Sequence, residues 1–85
     1  RNEKMVKVDF DEHFKKTISK IKDILIKERI EKLIIKIINN PGIGKPMNHN
    51  RKGTREVYLP LFRLSYAYNK NTDTIIILDF YHKDK

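Results

Sequence analysis

The apolar residues of this chain keep two different spacings on either side of one unpatterned segment. From Asp11 to Asn39 they recur at helical intervals; beyond Gly53 they alternate with period two. The segment between, Pro41 to Gly53, has no apolar period and holds all three glycines and two of the three prolines. It is expected to be a loop. A chain patterned in this way places its helices ahead of most of its sheet. That order excludes an alternating parallel α/β fold and points to a single small α+β domain.

Within the first half, Val6 and Val8 alternate with Lys7 and Asp9, which predicts a strand over Met5 to Phe10. Asp11 then precedes Phe14, Ile18, Ile21 and Leu25 at helical spacing, with Asp11 and Glu12 at the positive helix end. From Asp23 a second stripe, Ile26, Ile30, Leu33, Ile34, Ile37 and Ile38, runs to the stop at Asn39-Asn40-Pro41-Gly42. No Gly or Pro separates the two stripes, so two helices and one bent helix both fit. Three strands are predicted downstream, Thr54 to Leu59, Phe62 to Asn69 and Thr74 to Tyr81, as an antiparallel meander with Pro60 in a turn. The domain is taken as residues 5–85, with residues 1–4 as added or upstream sequence.

Eighty-five residues hold one core, which buries about 60–65% of the unfolded surface. There is no Cys, hence no disulfide framework and no thiolate metal site, and a cytoplasmic setting is expected. The longest apolar run, Ile75 to Leu78, is far below the roughly 20 residues that span a bilayer. Nineteen Lys and Arg against eleven Asp and Glu give a formal charge of +8, which calls for an anionic partner. His13 and His49 have no second ligand at metal-binding spacing, and no metal or other cofactor is expected.

Strand alternation sorts the basic residues of the second half. Arg63 shares a face with Ser65 and Ala67, while Phe62, Leu64, Tyr66 and Tyr68 form the face that should meet the helices. In the last strand, strict alternation groups Ile75, Ile77, Asp79, Tyr81 and Lys83 on one side and Ile76, Leu78, Phe80 and His82 on the other.

The order of these elements, with Asn40-Pro41, Gly44-Lys45-Pro46-Met47, the Gly-x-Arg-Glu of Gly53 to Glu56, Arg63 ahead of Tyr66, and the closing His82-Lys83-Asp84, resembles the RelE/ParE superfamily of bacterial and archaeal toxins. The resemblance runs from Met5 to the chain's end. It implies a toxin of a type II toxin-antitoxin system that enters the ribosomal A site, cuts mRNA without a metal, and is held silent in a hetero-oligomer with a RelB-like antitoxin. A ParE-like gyrase poison and a catalytically degenerate member are the alternatives within the same fold.

Metal-free RNA cleavage asks a protein to orient the 2′-hydroxyl, neutralise the phosphorane and protonate the leaving oxygen. By the resemblance, Arg63 clamps the phosphate with its planar fork. Arg55 adds positive field, Lys83 stands where many members carry Arg, and His82 stands where one branch carries a catalytic His. Lys45 and Lys52 lie along the implied RNA path, and Tyr81 offers a ring for base stacking. Thr54, Glu56 and Tyr58 occupy positions where relatives carry basic groups. Glu56 would repel a phosphate unless it pairs with Arg55 or Arg63 or serves as a base. An extended, partly disordered antitoxin that folds as it wraps suits such a small basic domain.

Overall fold

Two aspartates settle where the helices begin. In the computed structural model, which describes residues 6–84, Asp11 accepts the His13 amide and opens α1 (Glu12–Lys20), and Asp23 accepts the Leu25 and Ile26 amides and opens α2 (Ile24–Asn39). The helical half is thus two helices, and Asp23 marks the break that no Gly or Pro announces. Asn40 ends α2 where Pro41 forbids another turn.

The strands are β1 (Lys7–Phe10), β2 (Lys45–Pro46), β3 (Thr54–Leu59), β4 (Phe62–Asn69) and β5 (Thr74–His82), in the sheet order β1-β5-β4-β3-β2. The three-strand meander is antiparallel, and β1 returns to lie parallel against β5 at its far edge. The predicted start of the first strand at Met5 lies outside the described residues. The expected loop is more ordered than its composition suggests. It contains the two-residue edge strand β2 and a single 3-10 turn, His49–Arg51.

Pro60 and Leu61 form the β3–β4 turn, with Leu61 at φ 70°. Proline before a left-handed residue is the type II arrangement.

Both helices cover one face of the sheet. Ile30, Leu33 and Ile37 of α2 and Phe14 of α1 pack on Val57, Leu64, Tyr66, Ile75, Ile77 and Phe80. Ile75, Ile77 and Phe80 cannot share a face in a regular strand. They do so because the β4–β5 register slips between Ser65 and Tyr66, leaving Leu78 without an opposite residue. Strict alternation in the last strand therefore fails. Phe80 and His82 join the side of Ile75 and Ile77, and Asp79 and Tyr81 emerge on the side of Arg63.

The buried Tyr66 hydroxyl donates to the Pro41 carbonyl at 2.7 Å and accepts the Gly44 amide at 2.9 Å, which ties the loop to the sheet. A Cβ at Gly44 would lie 2.8 Å from the Tyr66 ring and hydroxyl. Gly44→Ala should therefore destabilise the fold by about 1–3 kcal/mol, measured by denaturant unfolding. Asp23→Ala, which removes the α2 cap, should cost about 1 kcal/mol and lower the melting temperature by roughly 4–8 °C.

Candidate nucleic-acid interface

The sheet face opposite the helices is built from the outward residues of β2 to β5. Cross-strand register sets Tyr58, Arg63 and Tyr81 in one row and Glu56, Ser65 and Asp79 in the next. Lys45 stands opposite Glu56 on the edge strand, so its side chain leaves the sheet on this same face. The Arg63 guanidinium lies 4.1 Å from the centroid of the half-exposed Tyr58 ring. This contact orients the cation without neutralising it. Among the described residues no carboxylate is ion-paired with Arg63.

Glu56 is only 4% exposed, and the cation beside it is Arg51 from the 3-10 turn, at 3.2 Å. The Tyr81 hydroxyl donates to the same Glu56 oxygen and faces both Arg51 terminal nitrogens at 3.4 Å. The two partners expected for Glu56, Arg55 and Arg63, are not the ones it has. Arg51 drew no attention in the sequence because it belongs to the Gly/Pro loop and meets Glu56 only through the turn that carries it. Burial, together with the bond to Glu56, pushes the Tyr81 phenol above its ordinary value of 10.0. The Tyr81 contacts push Arg51 upward as well. At neutral pH the Tyr81 phenol therefore keeps its proton and the Arg51 guanidinium its charge.

The other candidates are dispersed. Arg55 pairs in register with Tyr66 on the helix side and donates to the Gly42 and Gly44 carbonyls at 3.3 and 2.7 Å. It staples the loop and does not sit beside Arg63. Its β3 parity is opposite to that of Glu56 and Tyr58, which decides the matter. His82 lies opposite Phe62 and meets that ring edge-on at 5.3 Å, while Phe62 stacks on Phe80 at 4.8 Å. The bulge places His82 on the helix side, away from the row of Arg63 and Tyr81. Its Nδ1 accepts the Asp84 amide at 3.2 Å.

Lys83 is exposed just beyond β5, its amide bonded to the Leu61 carbonyl at 2.9 Å. Lys52 is exposed beside Arg51 at the end of the 3-10 turn. The open face thus assembles Arg63, Tyr81 and Lys45, with Tyr58, Glu56 and Arg51 added. Among the described residues no group of three His, Cys, Asp or Glu is placed to hold a metal ion, and no helix is long and apolar enough to cross a membrane.

Because the folded Tyr81 phenol is raised above 10.0, its contribution to stability is complete below that value and fades as pH climbs through the folded-state value. The stability gap between the wild type and Tyr81→Phe should be constant through neutral pH and shrink above about pH 10. Denaturant melts at stepped pH measure it.

No family model matches the chain, and no curated protein matches it in sequence. Solved structures do match. A chain of the toxin-antitoxin complex RelBE2 from Mycobacterium tuberculosis superposes with a TM-score of 0.78 at 22% identity, covering 92% of this chain and 98% of that one. The isolated RelE toxin of E. coli gives 0.79 at 17% identity, over 95% of this chain and 87% of that one. E. coli YafQ gives 0.68 at 18% identity, over 94% and 96%. In the placement of its two helices on one face of a five-stranded mixed sheet, this chain has the RelE toxin fold.

Proposed function

We propose that this protein is the toxin of a toxin-antitoxin pair and that it cleaves mRNA on the ribosome through the open face of its sheet. The observation that carries the proposal is the Arg63 guanidinium, oriented on Tyr58, ion-paired with no carboxylate among the described residues and level with Tyr81, on a face that the helices leave uncovered. The likeness to RelE and YafQ supports it at the level of fold, and the +8 charge supports an anionic substrate.

In this reading a single strand of RNA lies across β3 to β5. Arg63 takes two oxygens of the scissile phosphate as a planar fork. The 2′-hydroxyl gives its proton to solvent water and attacks its own phosphorus, the P–O5′ bond breaks, and the leaving O5′ takes a proton from water, so the products are a 2′,3′-cyclic phosphate and a 5′-hydroxyl. Arg63 stabilises the dianionic phosphorane, the step at which fixed positive charge contributes most. Lys83 and Lys45 extend the field along the backbone, with Lys52 at the margin. The ring of Tyr58 is placed to stack on a neighbouring base. Arg55 contributes by holding the loop that carries Arg51. His82 sits on the helix side and is assigned no proton transfer.

The cognate antitoxin, on this view, is an extended segment that covers the basic surface and folds as it binds, giving a hetero-oligomer.

Expression of the wild type with ribosomes present should produce mRNA ends at A-site codons, mapped by primer extension. Arg63→Ala should slow cutting by about 10²- to 10³-fold. Growth arrest without such cuts, accompanied by a loss of DNA supercoiling, would replace this reading with gyrase poisoning.

A further inference from the structure

A carboxylate occupies the middle of the face that the proposed function assigns to phosphate. One Glu56 oxygen, Oε2, receives Arg51 Nη1 at 3.2 Å and the Tyr81 hydroxyl together. A guanidinium and a hydroxyl converging on one anionic oxygen form the donor set that a phosphate oxygen takes. Here the chain supplies the anion itself.

We propose that Glu56 is an internal stand-in for an RNA phosphate, which keeps Arg51 and the Tyr81 hydroxyl from the substrate and so holds RNA binding below what the open face would otherwise reach. The proposal rests on the reading of this face as an RNA surface. Burial decides which anion wins. Glu56 is 4% exposed, whereas the Arg51 side chain is 48% exposed. A phosphate that drew Arg51 away would leave a desolvated carboxylate unpaired and would set a second anion beside it. That exchange is unfavourable, so Arg51 stays with Glu56.

The consequence is a charge inventory different from the one a count of basic residues suggests. Arg51, Glu56 and Tyr81 together carry no net charge, and attraction for RNA falls to Arg63 and the exposed lysines. The same trio accounts for a carboxylate at a position where a basic group was expected. It also makes the 3-10 turn part of the site. The backbone of that turn holds a left-handed residue, His49 at φ 61°, and its last residue is Arg51.

Glu56→Gln keeps the side chain's shape and an acceptor oxygen while removing its charge. The test is fluorescence anisotropy of a labelled, mixed-sequence single-stranded RNA oligonucleotide over a range of KCl concentrations. It compares the wild type, Glu56→Gln, Arg51→Gln, the double variant and Arg63→Ala, with thermal melts confirming that each is folded.

Glu56→Gln should bind roughly fivefold more tightly, and its plot of log K against log salt should steepen by about 0.7, one further phosphate contact on a single strand. Adding Arg51→Gln to that variant should abolish both gains, while Arg51→Gln alone should leave the wild-type slope unchanged. Weaker or unchanged binding by Glu56→Gln overturns the proposal and makes Glu56 a positioning residue for Arg51. A loss of slope in Arg51→Gln alone overturns it independently, even if Glu56→Gln does not fold. RNA binding that depends on Arg63 but not on Glu56 sinks this inference and leaves the function standing. Absence of RNA binding and of ribosome-dependent cutting in every variant, the wild type included, sinks both.

Discussion

A single unpaired residue, Leu78, lets one strand serve both the core and the open face. β5 lies between β1 and β4, so its inward residues face the helices and its outward residues face whatever the sheet meets. Without the slip opposite Ser65 and Tyr66, a strand that buries Ile75 and Ile77 would also send Asp79 and Tyr81 toward the core and Phe80 outward. The bulge reverses the parity at that point. Phe80 then completes the helix-side core beside Leu64, and Tyr81 rises next to Arg63. Core packing and surface chemistry are both drawn from the same nine residues.

The second requirement is the position of the loop between α2 and β3. Tyr66 grips it at Pro41 and Gly44, and Arg55 grips it at Gly42 and Gly44. Two polar side chains that lie on the inward face thus find backbone partners at the sheet margin, which satisfies them where burial would otherwise penalise them. The close approach of Gly44 to the Tyr66 ring leaves no room for a side chain. With the loop held there, β2 adds to the sheet edge and the 3-10 turn presents Arg51 to Glu56. Arg55, which the resemblance assigns to the site, bonds to this loop and stands apart from Arg63.

Positive charge on the open face is consequently selective. Arg63 rests on an aromatic ring, which orients it and leaves its charge intact, whereas Arg51 is matched by a buried carboxylate. Asp79 Oδ1 in turn lies 3.2 Å from Nε2 of His13 at the start of α1. A net charge of +8 therefore describes the whole surface and not the strength of any one site.

Much of the architecture was legible from local chemistry. Asn40-Pro41 ends a helix because proline cannot continue it, Asp11 caps one, and the alternation of β4 names the faces of Leu64 and Arg63. Such signals act within a few residues, which is the range over which a sequence determines its own conformation. The bulge at Leu78 carries no glycine or proline to announce it, since it is set by how β5 must register on β4 while Phe80 seeks the core. The partnership of Arg51 with Glu56 and Tyr81 spans thirty positions and exists only once the turn, the sheet and the bulge are in place. The sequence alone determined the helical stripes, the strands β1, β3, β4 and β5, and the face of β4 that carries Arg63. The tertiary structure decided which side chains Arg63 meets, because side-chain direction depends on register, and register depends on the packing of the whole sheet.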